Sequence, residues 1–151
     1  MVYYLSLGAN LGNREQTINH ALELIEQQAG HVLRCSAFYY SAPWGFESEN
    51  EFCNLCCSVQ SALNPLSMLD ITAYIERLLG RSVKSTNREY HDRLIDIDLI
   101  RAFDDERNEI YCNIPYPHAP GASFTGTLLT LPHPLWQERD FVKLPLAEIM
   151  Q

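Results

Sequence analysis

The apolar positions of this chain fall into runs that switch between strand and helix spacing. Residues 2–7 form a short apolar run that predicts a buried first strand, closed by Gly8. Asn10-Leu11-Gly12-Asn13 supplies turn chemistry, and Asn13 followed by Gln16 resembles a capping box. Ile18, Ala21, Leu22 and Ile25 then recur at helical spacing until Gly30, so a helix follows the strand. Residues 33–41 predict a second strand and 51–62 a third. Between them, Ala42-Pro43-Trp44-Gly45 and the polar run to Asn50 read as an exposed loop. Regular alternation in the third strand puts Phe52, Asn54, Cys56 and Ser58 on one face and Cys53, Leu55, Cys57 and Val59 on the other. The first of these faces is polar enough to meet a ligand.

Asn64-Pro65 is an N-cap and first-turn pair, and it opens the strongest helical pattern in the chain. Met68, Leu69, Thr72, Ile75, Leu78 and Leu79 form its apolar stripe, which ends at Gly80. Residues 81–92 are hydrophilic and carry Arg81, Lys84, Arg88 and His91, a basic stretch with the character of a lid. A strand pattern follows at 95–100. Residues 104–127 are rich in Pro, Gly, Asn and Asp and show neither period, so they read as irregular. The terminal LTLPHPLWQERDFVKLPLAEIM is apolar enough to pack back on the rest and brings His133, Arg139 and Phe141 into one short region. The order β-α-β-β-α-β predicts an α+β, ferredoxin-like fold: a mainly antiparallel sheet covered by helices.

Composition narrows the classes. The 151 residues suit a single domain, 1–151, able to bury roughly two-thirds of its unfolded surface without staples. No apolar run reaches the ~18–20 residues that a membrane span requires. The start, MVYYLSLGAN, has no basic n-region or cleavage site, which predicts a cytoplasmic protein. A formal charge of -8 argues against general nucleic-acid binding, since that affinity comes from Lys and Arg on phosphates. A compact polyphosphate is still compatible, because a few converging cations and a metal can hold one. The five cysteines have no Cys/His pair at finger spacing and read as reduced and mostly buried, with no zinc.

The candidate chemistry sits in HDRLIDIDLI, residues 91–100. Asp96 and Asp98 alternate with Ile95, Ile97 and Leu99, so both acids share a strand face, ~6–7 Å apart at a rise of ~3.3 Å per residue. Arg93 stands three residues upstream. Two carboxylates that close favour a cation between them. Magnesium carrying a polyphosphate fits, since one or two carboxylates plus phosphate oxygens fill its octahedron. The same pattern also fits a half-buried strand with a solvated acidic face.

SLGANLGN, SAPWG, FCNL, RLIDIDLI and LPHPLWQERDFVKLPL, in this order, closely resemble the 6-hydroxymethyl-7,8-dihydropterin pyrophosphokinase family of folate biosynthesis. The resemblance leaves only residues 104–127 uncovered. It implies an ATP-dependent diphosphokinase that moves pyrophosphate from ATP to the pterin's hydroxymethyl oxygen, releases AMP and uses two magnesium ions. By the same carry-over Asp96 and Asp98 bind both metals, while Arg81 and Arg93 join them as catalytic residues. Glu76, Tyr90, Arg93, Ile97, His133 and Arg139 would bind the nucleotide. For the pterin, the resemblance points to Asn54, Asp96 and the backbone of Ser41, Ala42, Pro43, Trp44 and Gly45, with the ring between Phe52 and Phe141. ATP would bind first, and the 81–92 loop would close over it.

Some positions depart from the family pattern. His91-Asp92 replaces a small residue and proline, and Tyr90 stands where tryptophan is frequent. Ser82-Val83-Lys84 lacks a second arginine after Gly80-Arg81. Pro134 occupies the place of an aromatic hydroxyl, and the family's usual C-terminal strand would lie beyond Gln151. Lys84 and Arg88 are the candidate substitutes for the missing arginine. For Arg81, complementing the preceding helix dipole is a competing role, as a structural salt bridge is for Arg93 and a solvated helix position for Glu76. A different class, a non-catalytic or degenerate pterin- or nucleotide-binding module, would keep the fold without requiring Asp96, Asp98 and Arg93 together.

Overall fold

Strand pairing on both sides of one apolar strand organises the protein. The computed structural model describes residues 1–42, 51–80, 94–116 and 127–150. Its elements are β1 (Val2–Ala9), α1 (Arg14–Gln28), β2 (His31–Cys35), β3 (Tyr39–Ser41), β4 (Phe52–Gln60), α2 (Pro65–Leu78), β5 (Asp96–Phe103), β6 (Cys112–Pro115), β7 (Thr127–Leu131) and α3 (Asp140–Ile149), with a short 3-10 turn at Trp136–Glu138. β1 pairs antiparallel with β4 and with β5, and β2 and β3 both pair with β4, giving the order β2-β4-β1-β5 with β3 also on β4. This is the ferredoxin-like arrangement that the order of elements predicts.

The two faces of the sheet bury different clusters. Leu5, Leu7, Cys53, Leu55, Cys57, Val59, Ile97 and Leu99 meet Ile18, Ala21 and Ile25 of α1 and Met68 and Ile75 of α2. On the other face Cys56 and Ile100 pack against Val142, Leu146 and Ile149 of α3. The predicted alternation along β4 therefore holds, with Cys56 on one side and its neighbours Leu55 and Cys57 on the other. Both helix starts are capped as their sequences indicate: Asn13 Oδ1 accepts from the Gln16 N–H at 3.2 Å, and Asn64 Oδ1 from the Ser67 N–H at 2.9 Å. No helix among the described residues is long and apolar enough to cross a membrane.

Four expectations are corrected. β1 runs one residue past Gly8, so this glycine lies inside the strand and not at its end. The strand expected at 33–41 is two strands. Ser36 accepts the Cys56 N–H on its hydroxyl, and Ala37 and Phe38, the latter packed against the main core, interrupt the ladder before pairing resumes at Tyr39 opposite Asn54. Leu78 is 50% exposed, because it stands ~100° around the helix from the centre of the buried face formed by Met68, Thr72, Ile75 and Glu76. Finally, 104–127 is not wholly irregular: Cys112–Pro115 is β6, paired with β7. The turn before it is built by the Asp104 carboxylate, which accepts from the Glu106 and Asn108 N–H groups. The basic stretch 81–92 and the loop 43–50 lie outside the described residues.

Between α1 and β2, Gly30 passes so close to the end of β4 that a Cβ there would stand 2.2 Å from the Gln60 carbonyl oxygen. Gly30→Ala is expected to cost about 1–3 kcal/mol through overpacking against backbone, read as a lower urea midpoint with an unchanged slope.

Candidate active site

The acid pair is set by the register of β5 on β1. Asp96 and Asp98 are half-buried, while Ile97 and Leu99 between and after them are 5% and 3% exposed and face the main core. Asp98 stands opposite Ser6, which stands opposite Cys56; Asp96 stands opposite Gly8, which stands opposite Asn54. Two rows of residues thus cross three strands on the face that α3 only partly covers. One extra residue on β5, Ile100, shifts the register past these rows and joins the cluster under α3.

Gly8 shapes the row that holds Asp96. A Cβ at this position would stand 3.1 Å from Asn54 Oδ1 and 3.6 Å from the Phe52 ring, so its absence leaves a flat gap between an acid and an amide. Asn54 is 2% exposed and its orientation is fixed from β3: Nδ2 donates to the Tyr39 carbonyl at 3.0 Å and to the Ser41 hydroxyl at 2.8 Å. Both of its donors are used on protein groups, so it turns its acceptor toward Gly8. Phe52 flanks the same gap. On sequence alone Gly8 served as a strand terminator; a glycine inside an apolar strand run is the signal of close approach that could have marked it.

The segment after β7 supplies the groups on the β5 side. His133 is tied to the strand by its N–H, which donates to the Ile100 carbonyl at 2.7 Å. Its Nδ1 accepts from the Leu135 N–H at 3.1 Å, which places the ring proton on Nε2 in the neutral form. Burial, with the Arg139 charge behind it and Asp96 opposing, holds the His133 pKa down to about 4. Of the three residues that act on one another here, His133 and Arg139 are expected to meet the nucleotide and Asp96 to meet metal and pterin. Arg139 is 7% exposed and its guanidinium lies 5.9 Å from the centre of the Phe141 ring, which packs at the edge of the cluster under α3.

Glu76 is not a solvated helix position. It is 8% exposed, and its Oε2 accepts the Ile97 N–H at 2.9 Å, so α2 fastens the outer edge of β5 between the two acids. Ile97 itself presents its side chain to the core. Ser41 and Ala42 end the segment leading into the loop expected to meet the pterin, while Pro43, Trp44, Gly45, Arg81, Tyr90 and Arg93 lie outside the described residues. The thiol in the Asp98–Ser6 row stays protonated: burial pushes Cys56 up to about 12.

For a metal, the donor set is chemically suited. Asp96 and Asp98 offer hard oxygens from one face, and no cluster of three or more His, Cys, Asp or Glu exists among the described residues. Two carboxylates leave most of an octahedron to water and phosphate oxygens, which is how magnesium is ordinarily held beside nucleotides.

Residues 4–151 match the family described as 7,8-dihydro-6-hydroxymethylpterin-pyrophosphokinase (HPPK). The chain is 40% identical over 148 residues to the 2-amino-4-hydroxy-6-hydroxymethyldihydropteridine pyrophosphokinase of Porphyromonas gingivalis, covering 98% of this chain and 90% of that one. To the Bacillus subtilis protein of the same name it is 32% identical over 151 residues, covering 99% and 78%. A Plasmodium falciparum HPPK-DHPS crystal structure superposes with a TM-score of 0.68 at 18% identity, over 99% of this chain and 39% of that larger one, a likeness of fold. The chain belongs to the 7,8-dihydro-6-hydroxymethylpterin-pyrophosphokinase family.

Proposed function

We propose that the floor formed by Asp96, Gly8 and Asn54 seats 6-hydroxymethyl-7,8-dihydropterin beside ATP, and that residues 1–151 act as one catalytic domain. The reaction is the family's: the hydroxymethyl oxygen attacks the β-phosphorus of ATP, the bond to the α-phosphate bridging oxygen breaks, and AMP leaves. The product is the pterin diphosphate, an intermediate of folate biosynthesis. The observation that carries the site assignment is the strand register, which sets a carboxylate, a bare glycine and an oriented amide in one line.

Each half of this line has a separate task. Asn54 Oδ1 accepts from the amino edge of the ring, and Phe52 with Phe141 supplies stacking faces. Asp96 and Asp98 would hold two magnesium ions, whose chemistry is to neutralise charge on the triphosphate. Arg139 adds positive charge, and His133, neutral with Nε2–H outward, donates to a phosphate or ribose oxygen. Arg81, Arg93 and Tyr90 complete the nucleotide side in this reading. The Cys56 thiol in the neighbouring Asp98–Ser6 row stays protonated, and in this reading transfer is direct, by positioning and charge neutralisation. We place the enzyme in the cytoplasm, where ATP and magnesium are supplied.

Three outcomes test the assignment. Asp96→Ala and Asp98→Ala should each lower pterin-dependent AMP release by about 100-fold or more while the melting temperature stays near that of the parent, since these are partly exposed acids. Near-normal release from either would remove it from the metal site. Gly8→Ala should raise the pterin Kd, measured by titration calorimetry, and leave the Kd for magnesium-ATP unchanged, because its methyl fills the gap at Asn54. The third outcome concerns pH. The folded pKa of His133 lies below its ordinary value of 6.5, so the unfolded chain takes up a proton first. Stability is therefore lost as pH falls from about 6.5 towards 4. His133→Gln should flatten this part of the urea-unfolding profile, and a slope identical to the parent's would show that the ring is not buried neutral.

A further inference from the structure

Asn54 reads its ligand only if β3 stays in place, and β3 is a weak element. It is three residues long, it sits on β4 alone, and Tyr40 at its centre is 45% exposed. Yet Tyr39 and Ser41 in this strand accept both hydrogens of the Asn54 amide. A drift of β3 would release that amide to rotate, exchanging acceptor for donor at Gly8.

The opposite face of β3 is gripped by the first turn of α1. The Tyr40 hydroxyl donates to Glu15 Oε1 at 2.9 Å, and the Arg14 guanidinium lies 5.4 Å from the centre of the Tyr40 ring. Arg14 Nη1 also donates to the Glu51 carbonyl at 2.7 Å, and Nη2 lies 3.7 Å from Glu15 Oε1. One side chain thus holds both β3 and the residue immediately before β4. These are the two strands that carry Ser41, Phe52 and Asn54. Because Tyr40 pairs with Cys53 and not with Asn54, alternation puts the grip on the helix side of the sheet and the pterin groups on the other.

We infer that Arg14, Glu15 and Tyr40 are positioning residues for pterin recognition: they touch neither substrate, and they fix the orientation of the Asn54 amide through β3. The inference rests on the proposed pterin site. Charge-assisted contacts and a cation–π stack of this kind are specific in direction, so their loss acts on the geometry of one strand while α1 keeps its own packing. The nucleotide groups on β5 and after β7 are attached to other elements and are not held by this cluster.

The test is steady-state pterin-dependent AMP release with Arg14→Ala, Arg14→Lys and Tyr40→Phe, each checked by melting temperature. The expected result is a rise in the pterin KM of about tenfold for Arg14→Ala, with a smaller rise for Tyr40→Phe, while the ATP KM and kcat stay within about twofold. Arg14→Lys keeps a charge but not the flat stack or the forked donors, and should recover part of the loss. A pterin KM equal to the parent's in both Arg14→Ala and Tyr40→Phe overturns the inference, as does an equal rise in the two KM values. Should Arg14→Ala fail to fold, Tyr40→Phe alone decides, since it removes one hydroxyl and keeps the ring. A parent enzyme that releases no AMP in response to pterin would instead overturn the proposed site.

Discussion

The antiparallel register of β5, β1 and β4 is the constraint from which the site follows. Side chains on a strand alternate with a period of two, so a slip of one residue would send Asp96 and Asp98 into the cluster under α1 and α2 and bring Ile97 and Leu99 out to solvent. Burying an unpaired carboxylate costs several kcal/mol, and exposing two aliphatic side chains adds about 1.5–3 kcal/mol each. The register is therefore enforced by the core, and the acids share a face because their neighbours do not belong there. Function in this region rests on the apolar residues as much as on the charged ones.

A strand at the edge of a sheet needs a second restraint, because half of its backbone groups have no ladder partner. In β5 these are taken up by three different segments. Glu76 of α2 accepts the Ile97 N–H, His133 donates to the Ile100 carbonyl, and Ile110 donates to the Ala102 carbonyl. The first bond falls between the two acids and the second lies two residues beyond Asp98. A buried glutamate near two aspartates is electrostatically unfavourable by itself, and the charge-assisted bond to a backbone donor offsets part of that cost. The arrangement makes the backbone of the acid-bearing strand rigid, which suits a site whose contribution is geometry.

Much of this was legible in the sequence, for identifiable reasons. The helices α1 and α2 have long periodic stripes with Asn caps, and β5 alternates from Asp96 to Leu99, so local pattern and final structure agree there. What failed was governed by partners distant in the chain. The division of 33–41 depends on Ser36 competing with backbone for the Cys56 N–H, which no local period reveals. β6 is four residues ending in proline, too short to show a period, and exists because β7 pairs with it. For Glu76 a solvated helix position competed with a place at the nucleotide, because its burial depends on a backbone N–H in a strand 21 residues away. Gly8 was visible, but its meaning came only from the side chains across two neighbouring strands.

The charge balance of the chain also finds its explanation in the site. An ATP triphosphate approaching a protein of formal charge -8 is repelled in principle, yet acids more than ~8–10 Å away are screened at physiological salt. Only the local field counts. There, His133 contributes no charge, because burial and Arg139 keep it neutral at physiological pH. In the proposed site its role is reduced to a single directed donor. Among the described residues expected at the nucleotide, that leaves Arg139 as the cation, set against Asp96 and Asp98. Such a ledger does not favour a bare polyanion and does favour one that arrives with divalent cations, whose charge satisfies the aspartates and the phosphates together. In the proposed site, the acidity of the floor would thus select the metal-bound nucleotide over the free one.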